Sequence, residues 1–96
     1  MNVLKRADDG RLIFECPGCD SLHGVFVERE QRPRWDWNGD MVRPTFSPSI
    51  LVTWDFGPQR EKKVCHSFVR DGQIQFLGDC THKLAGQTIP LPPIGE

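Results

Sequence analysis

The segment 65–82 constrains this chain more than any other, because it combines a hairpin signal with potential metal ligands at both ends. The dipeptide Asp71-Gly72 lies between two runs that are rich in Val, Ile and Phe. Asp-Gly favours the type I′ turn of a two-residue hairpin, in which both central residues need a positive φ. We therefore predict a β-hairpin in which Arg70 pairs with Gln73.

This register decides which side chains of the hairpin share a face. Side chains alternate along a strand, so one face holds both cysteines together with small and apolar residues. That face comprises Cys65, Ser67, Val69, Ile74, Phe76 and Cys80. The two thiols are thus expected to lie close together at the open end of the hairpin.

A second pair of cysteines, Cys16 and Cys19, encloses a Pro-Gly dipeptide between two strand-like runs. This is the pattern of a zinc knuckle, a tight turn on which both thiolates converge on one ion. In an intracellular chain, four cysteines favour metal binding over disulfides. We predict a structural Zn²⁺ site, and its ligands are Cys16, Cys19, Cys65 and Cys80.

Three histidines supply further donors, so the chain offers seven candidates for the four ligands of a structural zinc. His23, His66 and His82 are therefore alternate ligands. Cys65 and the adjacent His66 point to opposite faces of a regular strand, so we expect only one of them to bind. Histidines outside the metal site motivate an enzyme hypothesis, in which His66, Asp79 and His82 perform acid–base chemistry.

Two indoles define another candidate surface. Trp35 and Trp37 precede Asn38-Gly39, the preferred type I′ dipeptide, which predicts a second hairpin over residues 35–42. Both indoles then share one face. They either cover the small core or form a platform that binds a partner.

Length and composition predict one small domain that spans the whole chain. Ninety-six residues with 38% hydrophobic content, 8 Pro and 9 Gly support a modest core interrupted by turns. We predict a mainly β fold, a small antiparallel β domain with a zinc-knuckle hairpin, a central strand at 49–54 and little helix. That helix is one turn at 83–85. Residues 1–9 and 92–96 are expected to be loosely ordered arms, and residues 55–63 a mobile surface loop.

Charge and hydropathy limit the classes of partner. A net charge of −1 provides no concentrated basic surface for phosphate, and glutamates interleave with the basic clusters at 29–34 and 60–63. No apolar run is long enough to span a bilayer, and the first nine residues lack the apolar stretch of a signal peptide. We expect an intracellular protein with no membrane partner.

Five short motifs carry a resemblance to a known family. They are Phe-Glu-Cys-Pro-Gly-Cys at 14–19, Trp-Asp-Trp-Asn-Gly at 35–39, Pro-Thr-Phe-Ser-Pro-Ser-Ile at 44–50, Cys-His-Ser-Phe-Val at 65–69 and Asp-Cys-Thr-His-Lys-Leu-Ala-Gly at 79–86. Together they resemble small uncharacterised zinc-site proteins of tailed bacteriophages and prophages. Some members carry the label ammonia monooxygenase, which does not fit because nothing here looks like a copper membrane enzyme. The resemblance implies a phage accessory protein made in the cytoplasm of the bacterial host.

Three functions follow from these patterns. The leading hypothesis is a zinc-stabilised binding module without catalytic activity, which engages a host protein through Trp35 and Trp37. The alternative is a small zinc-dependent hydrolase that uses His66 and His82. A nucleic-acid-binding module ranks third, since it requires the two basic clusters to converge on one face with an aromatic side chain between them.

Overall fold

The structure is a computed structural model and describes residues 1–94. It contains three antiparallel sheets, and no helix occurs among the described residues. The first sheet has the order β1-β2-β3. Its strands are β1 (Lys5–Arg6), β2 (Leu12–Cys16) and β3 (Ser21–Val25). The mainly β fold with antiparallel pairing is thus confirmed.

The other two sheets are built from residues 36–90. A two-stranded sheet pairs β4 (Asp36–Trp37) with β5 (Phe46–Ser47). The largest sheet has four strands in the order β6-β7-β8-β9. They are β6 (Ile50–Phe56), β7 (Glu61–Arg70), β8 (Gln73–Phe76) and β9 (Thr88–Pro90).

The hairpin of β7 and β8 forms in the predicted register. Arg70 pairs with Gln73, and the turn residues Asp71 and Gly72 have φ values of 52° and 77°. The face predicted from alternation is the buried one. Cys65, Ser67, Val69, Ile74, Phe76 and Cys80 are all buried. This hairpin therefore supplies one wall of the core.

Aromatic side chains from three strands fill that core. Phe14 of β2, Phe46 of β5 and Phe76 of β8 are among the largest fully buried side chains. The rings of Phe14 and Phe46 stack with their centroids 6.5 Å apart. Burying this apolar area drives the association of the sheets.

The amino-terminal arm differs from the prediction. Val3 and Leu4 are buried, the amide of Val3 donates to the carbonyl of Met41 at 2.9 Å, and β1 pairs with β2. At the other end, residues 92–94 belong to no strand, and the Ile94 amide donates to the Asn2 carbonyl at 3.1 Å. The rest of the predicted carboxyl-terminal arm, residues 95–96, lies outside the described residues.

The predicted hairpin at 35–42 is wrong, because β4 pairs with β5 instead of with the residues after Gly39. A carboxylate oxygen of Asp40 accepts the amides of Val42 and Arg43 at 2.8 and 2.9 Å. These bonds hold residues 40–43 in a turn that cannot form a strand. The same two amides keep the pKa of Asp40 below its usual range.

Two predictions for the largest sheet are also wrong. The strand expected to be central at 49–54 is β6, which lies at the edge of its sheet. The loop expected at 55–63 is only the four-residue turn 57–60, because the residues on either side of it belong to β6 and β7. In this turn Gly57 and Arg60 have positive φ values. As a result β7 is ten residues long and pairs with β6 over its first seven positions.

The predicted turn of helix at 83–85 is a hydrogen-bonded turn. The Ala85 amide donates to the His82 carbonyl at 3.3 Å, and Gly86 donates to Phe76 at 3.0 Å. Gly86 has φ 79° and ends this turn, as its position after the segment indicated. The chain then enters β9.

Candidate active site and metal cluster

The pairing of β6 with β7 brings Ser49 beside His66. Ile50 pairs with Ser67, and both are buried, so the residues next to them face outward. Ser49 and His66 therefore lie on the outer face of the sheet, Ser49 just before β6 and His66 on the neighbouring strand β7. The Oγ atom of Ser49 lies 3.1 Å from Nε2 of His66.

Asp79 contacts the other nitrogen of the same ring. It lies in the loop after β8, and its Oδ2 is 3.0 Å from Nδ1 of His66. An ionised carboxylate only accepts hydrogen bonds, so Nδ1 carries the proton and Nε2 accepts the hydroxyl proton of Ser49. A hydroxyl, an imidazole and a carboxylate thus form one hydrogen-bonded chain, and a catalytic triad has the same arrangement of groups.

Backbone contacts hold Ser49 and His66 in place. The indole Nε1 of Trp35 donates to the Ser49 carbonyl at 3.2 Å. The Cys80 thiol accepts from the His66 amide and donates to the His66 carbonyl, both at 3.2 Å. The amide of Leu77 donates to the same carbonyl at 2.9 Å. The site is open, since the side chains of His66 and Asp79 are 26% and 57% exposed.

Of the catalytic candidates from sequence, His66 and Asp79 meet, but His82 lies elsewhere. The His82 ring packs edge-on against Phe76 with the centroids 4.4 Å apart, and its Nδ1 accepts the Leu84 amide at 3.2 Å. The sequence patterns did not indicate Ser49. It is 17 residues from His66 and lies in a proline-rich stretch, so only the strand register could have revealed it.

A cluster of cysteines and histidines lies on the buried side of the same hairpin. The donor atoms of Cys16, Cys19, His23 and Cys65 all lie within 4.8 Å of one another, so the cluster could hold a metal ion. The Sγ atoms of Cys16 and Cys65 are 3.9 Å apart. His23 joins through the pairing of β2 with β3, which places it opposite Phe14 on the buried face.

Three of the four predicted thiol ligands therefore lie close together, and the fourth donor near them is His23 instead of Cys80. Cys80 belongs to a second group of donors with Cys65 and His82. Its thiol already bonds to the backbone of His66. The sequence could not rank His23 above Cys80, because the distance from the hairpin to the knuckle depends on how the sheets pack.

The buried ring nitrogen of His23 fits a metal at this cluster. Within residues 1–94, Nε2 of His23 and Nε2 of His82 are buried and have no hydrogen-bond partner. Leaving such an atom unpaired costs about 1–3 kcal/mol. A metal bound at His23 would remove this cost. All four cysteines are free thiols, and a set of three thiolates and one imidazole suits a closed structural site.

The thiols of the cluster differ strongly in acidity. A hydrogen bond from Cys65 lowers the pKa of Cys16 to about 4, whereas burial raises the pKa of Cys19 to about 11. The bond to Cys16, together with burial, raises the pKa of Cys65 above its usual range. The cluster thus stabilises one thiolate, and a bound cation would stabilise the others by displacing their protons.

The comparison with protein families matches residues 1–77 to a family described as BubE, the serine protease of a bacterial ubiquitination-like system. The chain belongs to the BubE family. The matched residues include Ser49 and His66 and end two positions before Asp79. No curated protein and no solved structure matches this BubE-family chain.

Membership of the BubE family overturns the predicted role as a phage accessory binding module, because the family is described as a protease. Neither the family match nor the other comparisons support the resemblance to phage and prophage proteins. The zinc-hydrolase and nucleic-acid alternatives fall with that prediction. His66 contacts Ser49 and Asp79, whereas His82 bonds to the Leu84 amide.

The two indoles proposed as a partner surface are partly buried and pack against the core. Trp35 donates to the Ser49 carbonyl, and Trp37 donates to the Asp40 carbonyl at 3.2 Å. Their polar atoms thus bond within the domain. As for membranes, the part of the chain that the structure describes has no helix of the length and apolar character needed to cross one.

Proposed function

We propose that this BubE-family protein is a serine protease in which Ser49 is the nucleophile, His66 the general base and Asp79 the orienting carboxylate. The observation that carries the proposal is the continuous chain of hydrogen bonds, 3.1 Å from Ser49 to His66 and 3.0 Å from His66 to Asp79. Both distances lie within the reach expected of a nucleophile, its base and the group that orients the base. The family description names the same class of enzyme.

The first half of the reaction acylates the enzyme. The Oγ atom of Ser49 attacks the scissile carbonyl carbon while its proton passes to Nε2 of His66. Asp79 stabilises the resulting imidazolium through Nδ1 and remains ionised. The tetrahedral intermediate collapses as the carbon–nitrogen bond breaks, and His66 returns the proton to the leaving amine. Ser49 is then esterified by the acyl part of the substrate.

The second half regenerates the free enzyme. Water enters where the amine left and transfers a proton to Nε2 of His66 as its oxygen attacks the ester carbonyl. The second tetrahedral intermediate collapses, and the proton returns to Oγ of Ser49. The products are a carboxylic acid and an amine. The three side chains of the enzyme have the same protonation state before and after the cycle. The same steps hydrolyse an ester, with an alcohol as the leaving group.

The triad residues occur in an unusual order along the chain. Here the order is Ser, His, Asp, whereas α/β-hydrolases have Ser, Asp, His, and chymotrypsin and subtilisin use two other orders. Geometry and roles define a triad, and sequence order does not. We accordingly propose a triad built independently on a small β domain, and its protein substrate belongs to the ubiquitination-like system that the family description names.

We also propose that the cluster of cysteines and His23 binds one Zn²⁺. Its ligands would be Cys16, Cys19, His23 and Cys65, which belong to β2, the following turn, β3 and β7. These four side chains would hold the ion, and its bonds to them would hold the four segments together. Because Cys65 adjoins His66 on β7, fixing this strand also fixes the base.

Labelling with a fluorophosphonate tests the proposed nucleophile. The reagent should modify one serine per chain, and peptide mapping should identify that residue as Ser49. Ser49→Ala should abolish labelling, and His66→Ala should slow it at least 100-fold, because general-base assistance is worth about 10²–10⁴-fold. Ser47→Ala removes a nearby exposed hydroxyl and is the matched control, so it should label like the wild type. Undiminished labelling of folded Ser49→Ala protein would refute the proposal.

A further inference from the structure

The four-stranded sheet has one open edge, and the proposed nucleophile lies at its start. Along residues 1–94, β6 pairs with β7 on one side and with no strand on the other. Ser49 immediately precedes β6, and because Trp35 bonds to its carbonyl, the unpaired backbone groups of this edge begin at Leu51. A chain that lies along this edge therefore passes the triad.

The strand register shows which backbone groups of β6 point outward. The amide and carbonyl of His66 bond on the β8 side, to Cys80 and to Leu77. His66 pairs with Leu51, and such a pair does not exchange hydrogen bonds across β6 and β7. The backbone groups of Leu51, and by alternation those of Thr53, therefore face away from β7 into the open edge.

The opposite edge of the sheet is protected. The Leu91 amide donates to Gly72, and the Phe76 amide donates to Gln87, so residues 87, 89 and 91 bond on the β8 side and the two residues that alternate with them face outward. These outward residues are Thr88 and Pro90. Pro90 has no amide hydrogen, which blunts the edge against a further strand. The strand Ile50–Phe56 contains no proline and has no such protection.

Exposed apolar side chains lie along the open edge. Leu51 is 57% exposed and Phe56 is 62% exposed, and Leu22 on the facing strand β3 is 61% exposed. A cleft of about 290 Å³ lies between β3 and β6. It is lined by Ser21, Leu22, His23, Val52 and Trp54. A long apolar edge promotes aggregation unless another chain covers it.

We propose that an extended, unstructured segment of the protein substrate adds to the edge of β6 as a further strand. The inference rests on the proposed protease function and specifies how the substrate reaches Ser49. Continuity with the triad identifies the occupant, because β6 leads directly from Ser49 and a protease must hold the scissile bond in an extended chain. The substrate class is therefore a flexible tail or linker, and a compact folded loop is excluded.

Strand addition divides the recognition between backbone and side chains. The outward amides and carbonyls of Leu51 and Thr53 pair with the substrate backbone whatever its sequence. Substrate side chains then alternate between two environments. One set enters the cleft beside Val52 and Trp54, and the other lies over Leu51 on the face that carries Ser49 and His66.

The test removes one edge amide from each side of the sheet. Thr53→Pro deletes an outward N–H of β6 without removing a bond to β7. Thr88→Pro is the matched control, because it makes the same change at an exposed, outward position of β9. Two probes are used. One is fluorescein-labelled casein, which is an unfolded polypeptide, and the other is an octapeptide library whose cleavage is followed by mass spectrometry. Fluorophosphonate labelling measures the reactivity of Ser49 without a peptide backbone.

Strand addition predicts that Thr53→Pro lowers kcat/KM for casein and for the library at least tenfold. Fluorophosphonate labelling of this variant should remain, and Thr88→Pro should cleave both probes at the wild-type rate. Equal cleavage by Thr53→Pro and wild type would overturn the inference. So would wild-type protein that labels at Ser49 but cleaves neither probe, in which case the triad stands and the edge does not bind substrate.

Two further results would have separate meanings. A wild-type dimer in size-exclusion chromatography that Thr53→Pro converts to a monomer would assign the edge to a second copy of the chain and overturn the inference. Absence of fluorophosphonate labelling at Ser49 would instead refute the proposed protease function, and the inference would fall with it.

Discussion

Asp79 is the member of the proposed triad that lies beyond the family match, so its role depends on one contact. Its carboxylate holds the Nδ1 proton of His66 and so sets which nitrogen accepts the proton of Ser49. The side chain is 57% exposed. Losing its charge should therefore change the tautomer of His66 more than it changes the fold.

We expect Asp79→Asn to reduce kcat by about 10⁴-fold, the size seen when an amide imposes the wrong histidine tautomer on a triad. The thermal midpoint should change little. Asp36→Asn is the matched control, since Asp36 is also exposed and pairs with Arg34 at 2.9 Å. Labelling rates and thermal unfolding of both variants check the prediction. An Asp79→Asn protein with full activity would remove Asp79 from the triad.

At the level of elements, the turn between β7 and β8 is set by its own dipeptide and by its neighbours. Gly72 has φ 77°, and a Cβ there would lie 3.1 Å from the Cα of Arg43 and 3.3 Å from the Val42 carbonyl oxygen. The Gly72 amide also donates to the Pro44 carbonyl at 2.9 Å. The hairpin is therefore locked against the loop that precedes β5.

Gly72→Ala should destabilise the protein by about 2–4 kcal/mol, because the left-handed conformation costs about 1–2 kcal/mol and the backbone contact adds to it. Gly39→Ala is the matched control. Gly39 has φ 83° with no atom within 4 Å of an added Cβ, so it should lose only the conformational part. Urea unfolding of both variants measures the difference. Equal losses would show that the contact with Arg43 is relieved at no cost.

For the whole molecule, the proposed metal links two sheets that otherwise meet through the core. Three ligands come from the β2–β3 hairpin and its turn, and Cys65 comes from β7. A chain of 96 residues has a small core, so binding energy of this kind is a large share of its stability.

We expect one Zn²⁺ per chain by elemental analysis, and we expect a strong chelator to unfold the protein and abolish labelling of Ser49. Cys65→Ser should lose the metal. Cys80→Ser should retain it, because Cys80 lies outside the proposed four ligands. A metal-free protein that stays folded and reactive would contradict the role of the ion. Loss of zinc from Cys80→Ser would restore Cys80 to the ligand set, as the sequence predicted.

Local sequence patterns were sufficient to predict those elements whose geometry depends on residues close together in the chain. Asp71-Gly72 specified the β7–β8 register and its buried face, and the Cys-x-x-Cys turn specified the β2–β3 hairpin. Turn chemistry acts over a few residues, so the chain alone carries this information. The same argument failed for Asn38-Gly39, because the carboxylate of Asp40 competes for the amides that a second strand would need.

Tertiary structure alone decided the site. The approach of Ser49 to His66 depends on the pairing of β6 with β7. The approach of His23 to Cys65 depends on how two sheets pack. Both are contacts between residues distant in sequence, and their energies come from burying a shared core. The hairpin of segment 65–82 was thus predictable from sequence, but the contacts of His66 and Cys80 depend on the segments that pack against it.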